Sequence, residues 1–125
     1  MNLEMNKLTE AVIGAAIEVH RELGPGLLES AYQQALEHEL TLRGIAFDSQ
    51  KACPITYKGL SIENAYRLDL LVEGTLVVEL KAVDALADVH EAQVLTYLKF
   101  SGCGLGLLIN FRSRWLKDGV RRLAL

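Results

Sequence analysis

At Gly44 the hydrophobic period of this 125-residue chain changes from repeats of three and four to alternation, and no purely helical or purely stranded fold satisfies both halves. Before that point, Met5, Leu8, Val12, Ala15, Val19 and Leu23 mark an amphipathic helix over Asn2–Leu23. Gly24-Pro25-Gly26 ends it, because proline cannot extend the hydrogen-bond ladder and glycine permits a sharp turn. A second helix is expected over about Leu28–Arg43, with Leu28, Tyr32, Ala35, Leu36 and Leu40 on one stripe and Gly44 as its stop. Beyond it, Ile45–Lys58 carries β-branched and aromatic residues and one proline, Pro54, which suits one or two extended segments at a sheet edge. Gly59 turns the chain into a strand over Ser61–Val72, and Thr75–Val83 forms the next. Asp88-Val-His-Glu91 resembles a capping box, with Asp88 as N-cap, and opens a helix reaching about Phe100. The glycines at 102, 104 and 106 do not follow the dinucleotide fingerprint; they suit tight turning or close backbone approach before a buried strand over Leu107–Phe111. The order is α-α-β-β-β-α-β with a tail of open form: a single α/β domain over residues 1–125, a mixed sheet flanked by helices.

Composition narrows the class. Half the residues are hydrophobic and the net charge is only −3, which excludes disorder and supports one core. The two cysteines, Cys53 and Cys103, make no disulfide scaffold and read as core or semi-core thiols. No apolar run is long enough for a transmembrane helix, so no membrane partner is expected. The opening MNLEMNKLTE has no apolar signal core, and the expected location is cytoplasmic. Mild acidity argues against a passive, sequence-blind coater of DNA. The charge is unevenly spread, however: net −5 over residues 1–39 and net +5 over residues 97–125. Arg112, Arg114, Lys117, Arg121 and Arg122 carry the positive end, which points to an anionic partner or to a solvated terminal segment.

The chemistry concentrates on two strands. In Val77-Val-Glu-Leu-Lys81 alternation puts Glu79 and Lys81 on one face, with Val78, Leu80 and Ala82 on the other. The preceding strand holds a lone acid, Asp69, in an apolar run. An aspartate beside a Glu-x-Lys can hold a divalent cation with a lysine next to it. Register decides whether they meet. A two-residue loop, Glu73-Gly74, sets Asp69 opposite Val78 and separates the carboxylates. A three-residue loop, Glu73-Gly74-Thr75, sets Asp69 opposite Glu79, and Gly74 suits the left-handed position it needs. The three-residue loop is the expected one. Without a metal, the same charges read as a cross-strand ion-pair set.

Gly26-Leu-Leu-Glu29-Ser-Ala-Tyr32 resembles the signature of the GxxExxY protein family, which is placed in the PD-(D/E)XK nuclease superfamily. The flanking stretches are similar too: Ile13–Gly26, Val78–Ala82, Gln93–Tyr97 and Leu107–Phe111, so the likeness covers nearly the whole chain. It implies a restriction-endonuclease-like core. By that similarity Asp69 matches the metal-binding aspartate, with Leu68 in place of the proline of the superfamily's name. Glu79 matches the second acidic ligand and Lys81 the lysine that positions or activates the attacking water. Glu29 matches the acid contributed by an N-terminal helix. Gln93 and Tyr97 match polar positions lining the site from the following helix.

The implied activity is metal-dependent hydrolysis of nucleic acid phosphodiester bonds. That reaction needs stabilisation of charge on a phosphoryl oxygen and a water made nucleophilic near neutral pH, and Mg²⁺ or Mn²⁺ supplies both. Two carboxylates with a backbone carbonyl such as that of Leu80 and several waters suit such a cation. Other readings stay open. A catalytically silent module binding nucleic acid or protein would keep the same fold, and a small-molecule enzyme would use the same metal centre. The small surface leaves little to grip a duplex, which a homodimer would enlarge. Glu29 also fits a helix first turn for dipole reasons alone, and Tyr32 can pack with its polar tip near water. His90, Gln93 and Tyr97 share a stripe that faces either the site or solvent. His20 and His38 read as structural or surface residues, and Trp115 as pinning the tail to the core or stacking on a base.

Overall fold

The computed structural model describes residues 3–125, and the expected start of the first helix at Asn2 falls outside them. Helix α1 spans Leu3–Leu23 and buries Val12, Ala15 and Val19, as its spacing requires. Helix α2 spans Glu29–Leu42 and buries Tyr32, Leu36 and Leu40. Two residues of the expected stripes lie outside the core. Leu23 is exposed in the last turn of α1, where Gly24, at φ +73°, swings the chain away. Leu28 is exposed because it is the extended N-cap of α2 and not part of the helix.

Among the described residues five strands follow the sequence in sheet order: β1 Phe47–Tyr57, β2 Leu60–Val72, β3 Leu76–Lys81, β4 Leu105–Asn110 and β5 Val120–Ala124. Only β3 and β4 run parallel, joined by helix α3 over Asp88–Ser101. Strand β1 is one edge, and its pairing with β2 shifts register between Cys53 and Ile55, around Pro54, whose missing N–H a ladder could not use. The tail forms a 3₁₀ turn over Leu116–Gly119 and the other edge strand, β5, antiparallel to β4.

Two apolar clusters cover the two sheet faces. Val12, Tyr32 and Leu36 from α1 and α2 meet Leu70, Val78, Leu80, Leu107 and Phe111. On the other face, Val94 and Leu98 from α3 meet Leu68, Leu71, Val77 and Leu108. Leu68 and Leu71 thus share a face although three residues apart, so the alternation of β2 slips at Asp69.

Three local expectations are corrected. Asp88 is not the N-cap of α3; Ala87 is, and the imidazole Nδ1 of His90 accepts the Ala87 N–H at 2.9 Å in place of a reach-back by Glu91. The strand expected over Thr75–Val83 is shorter. Thr75 belongs to the turn, and Val83 is drawn off by Asn110, whose amide bonds both its N–H and its carbonyl. Trp115 does not pin the tail. It is 64% exposed on the extended residue before the 3₁₀ turn, while Leu116, the first residue of that turn, is buried in the core. Cys53 is buried and Cys103 half-buried, both as free thiols. Among the described residues no helix is long and apolar enough to cross a membrane.

Gly106 lets α3 close onto β4: a Cβ there would meet Val94 Cγ1 at 2.8 Å. Gly106→Val is expected to lose about 1–3 kcal/mol in chemical denaturation. Gly104→Ala, with open space around it, should stay within about 0.5 kcal/mol of wild type.

Candidate functional site

The turn between β2 and β3 has the three-residue form. Val72 pairs with Leu76, leaving Glu73, Gly74 and Thr75 as the loop, with Glu73 at φ +53° and Gly74 at φ +69°. The ladder then pairs Leu71 with Val77 and Leu70 with Val78, and stops. At the next step carboxylates replace the backbone. The Asp69 N–H donates to Glu79 Oε1 at 2.9 Å, and the Leu80 N–H donates to Asp69 Oδ2 at 2.8 Å. Each acid thereby satisfies a donor freed on the other strand, and both side chains are locked where the strands part.

Further groups fix Asp69. Its carbonyl accepts the Gln33 amide at 2.8 Å, and its Oδ1 accepts the Gln50 amide at 3.3 Å. Gln33 also donates to Glu37 Oε2 at 2.7 Å, which in turn accepts the Ser49 hydroxyl at 2.6 Å. Neither Gln33 nor Gln50 is among the site residues expected from the sequence. Gln33 left a signal, as an amide beside the apolar stripe one turn after Glu29. Gln50 left none, since its left-handed backbone at φ +49° has no glycine to announce it.

The other site residues gather around this pair. Lys81, two residues beyond Glu79 and half-buried, donates from Nζ to Gln93 Oε1 on α3 at 3.3 Å. Tyr97 follows Gln93 by one turn of α3. Burial raises the Tyr97 hydroxyl above its ordinary pKa, the negative charges of Glu79 and Asp69 add to the shift, and the nearby Gln93 side chain opposes it. The Tyr97 ring stacks on Tyr66 of β2 at 5.0 Å. His90, on the same stripe, turns to the helix start instead.

Glu29 stands at the rim, in the first turn of α2, with an exposed side chain. Partial desolvation and the Asp69 charge raise its pKa, against the pull of Lys81. Among the described residues no group of three or more His, Cys, Asp or Glu side chains stands ready to share a metal ion. The close carboxylate pair is therefore Asp69 and Glu79, with Glu29 outside it.

Tyr32 is structural in this arrangement. It is fully buried, stacks on Phe111 at 4.6 Å, and its hydroxyl donates to the Gly24 carbonyl while accepting the Leu27 N–H at 3.0 Å. Its polar tip thus ties down the loop before α2 and does not sit in water. Tyr32→Phe is expected to cost about 1–3 kcal/mol by leaving the loop's carbonyl and N–H without this partner, measurable by thermal denaturation.

Glu79 is the electrostatic centre. It is 3% exposed, and burial, reinforced by the adjacent Asp69 charge, pushes its carboxyl up to about 9 despite the nearby Lys81. Two carboxylates held together, one half-buried and one buried, are the donor chemistry a divalent cation suits, since its charge cancels the repulsion that raises Glu79. In the metal-free protein the unfolded chain releases the Glu79 proton near 4.5 and the folded one near 9. The stability from this group is therefore complete below the lower value and lost as pH rises toward the higher. Melting temperatures in EDTA should fall from pH 5 to pH 8.5 in wild type and fall less in Glu79→Gln; equal slopes would contradict this assignment.

Searches of curated proteins and of solved structures returned no match to the chain. A model of the PD-(D/E)XK nuclease superfamily matches residues 6–123, from the first turns of α1 to the last strand. It spans all five strands and the Asp69–Glu79 pair, and by this match the chain belongs to the PD-(D/E)XK nuclease superfamily.

Proposed function

We propose that the chain is a metal-dependent nuclease that hydrolyses nucleic acid phosphodiester bonds, and that it falls in the GxxExxY branch of its superfamily. The observation that carries this reading is the exchange at the parting of β2 and β3, which presents two carboxylates and a lysine at one point. A bound Mg²⁺ or Mn²⁺ would supply charge stabilisation at a phosphoryl oxygen and a more acidic water. Asp69 and Glu79 would hold the ion, oriented by the backbone N–H groups they already accept. Lys81, steadied by Gln93, offers its remaining ammonium hydrogens to a phosphate oxygen or to the attacking water. Tyr97, with Gln93, lines the α3 side. Glu29 adds a carboxylate at the rim that can orient water.

A second reading has its own observation. Glu79 is almost fully buried, and no third metal-capable side chain joins the pair among the described residues. Both features suit a catalytically silent binding module that has kept the fold.

One experiment separates the two. Purified protein is incubated with single- and double-stranded DNA and RNA, in Mn²⁺ or EDTA, beside Glu79→Ala and Lys81→Ala. The nuclease reading expects cleavage in Mn²⁺ alone, reduced about 100-fold or more in both variants. A Mn²⁺ titration should show binding weakened in Asp69→Ala and Glu79→Ala. Neither cleavage nor Mn²⁺ binding by wild type would select the silent module.

A further inference from the structure

The positive end of the chain is largely engaged within the fold. Arg112 Nη1 lies 3.3 Å from Asp84, Arg121 Nε lies 3.8 Å from Glu91, and Arg122 donates to Asn6 Oδ1 at 2.6 Å. Arg114 and Lys117 differ: among the described residues neither forms an ion pair. Between them stands Trp115, the chain's single tryptophan, 64% exposed, with the Arg114 guanidinium carbon 5.4 Å from its ring centre. With His20, Arg21 and Pro25 these residues wall a groove of about 710 Å³ between the end of α1 and the 3₁₀ turn.

The groove is rigidly backed. His20 Nε2 is bonded to the Ser113 carbonyl at 2.7 Å, and Leu116 is anchored in the core. Its charge is positive on balance. Arg21 is paired with Glu18, and one acid, Asp118, lines the groove beside the unpaired Arg114 and Lys117. A flat, water-exposed indole flanked by two free cations complements a flat ring carrying an anion on either side. Within a polynucleotide that unit is a base between its two phosphates. A purely apolar partner would leave the cations without a role.

The groove opens at the same end of the sheet as the carboxylate pair. Strands β3 and β4 are parallel, so Lys81 and Asn110 end side by side, and the Phe111 N–H donates to the Lys81 carbonyl at 2.9 Å. Phe111 stacks on Tyr32, and the Tyr32 hydroxyl holds Gly24, which is part of the groove wall. An unbroken chain of contacts therefore links the catalytic strand to the groove.

We propose that this groove is a nucleotide subsite for single-stranded nucleic acid, with Trp115 stacking on a base and Arg114 and Lys117 holding the phosphates on either side. Its connection to cleavage rests on the nuclease reading above; strand binding itself is measured separately. A duplex keeps its bases stacked inside, so the subsite selects single strands or frayed ends.

The test uses the full chain in EDTA, so that binding is read without cleavage. A ten-nucleotide oligothymidylate and a ten-nucleotide oligouridylate are titrated against Trp115 fluorescence, and fluorescein-labelled copies are followed by anisotropy. Quenching by one or both strands is expected, and their relative affinity identifies DNA or RNA as the preferred source. Trp115→Ala should weaken binding about 5- to 100-fold, with Trp115→Phe retaining most of it. Arg114→Ala with Lys117→Ala should weaken binding and flatten its salt dependence by about two phosphate contacts. These side chains are exposed, and circular dichroism checks that each variant keeps its fold. Absence of quenching by both strands, or unchanged affinity in Trp115→Ala, overturns the subsite; continued cleavage in Mn²⁺ would then leave the nuclease reading standing. Anisotropy that shows binding weakened in the variants, with neither cleavage nor Mn²⁺ binding by wild type, upholds the subsite and ends the nuclease reading.

Discussion

Everything at the site depends on an exchange of hydrogen-bond partners where β2 leaves β3. An antiparallel ladder satisfies its own donors, and strands that separate inside a core leave N–H groups unpaired at a cost of roughly 1–3 kcal/mol each. Here the freed N–H groups of Asp69 and Leu80 find carboxylates, one from each strand. The backbone thus fixes the acids, and the acids keep the open backbone satisfied. The slip in alternation at Asp69 belongs to the same event. Leu68 and Leu71 can both reach the α3 cluster only because the residue between the two runs is spent on the crossing.

The electrostatic consequence is a deliberate conflict. Lys81 offsets only part of the repulsion between Asp69 and Glu79, since its ammonium is turned toward Gln93 on α3. Glu79 therefore sits in a place that water has left and that one lysine does not neutralise. A structure built only for stability would put an apolar side chain there. Glu79 therefore keeps its proton well above the usual carboxylate range, and a positive charge brought beside it would release that proton.

Much of this was readable from residue spacing. The helices declared themselves through a period near 3.6, the strands through alternation, and the three-residue turn through the demand that two lone acids share a site. The resemblance in Gly26–Tyr32 pointed to the superfamily that the match over residues 6–123 assigns. What stayed hidden had physical reasons. Ala87 has no side-chain acceptor, so nothing marked it as an N-cap, and the better-looking Asp88 drew the assignment. Trp115 looked like an anchor because it is large and apolar, yet it stands on the extended residue before the 3₁₀ turn, and Leu116, the first residue of the turn, took the core. The tail showed no period, because β5 is short and pairs along a single edge. Gln33 and Gln50 hold Asp69 from outside its own strand pair, a relation that exists only once the chain has folded.

The β1–β2 hairpin is paired along its length, whereas β3 meets β2 only at Leu70, Leu71 and Val72. The hairpin's outer half, around Lys58 and Gly59 at φ +46° and +86°, is consequently a two-stranded ribbon with no third strand beside it among the described residues. Neither apolar cluster includes a residue from Thr56 to Ala65. The tip is a region of engineering freedom: it can be shortened, lengthened or given an inserted peptide with the carboxylate pair and both cores left as they are.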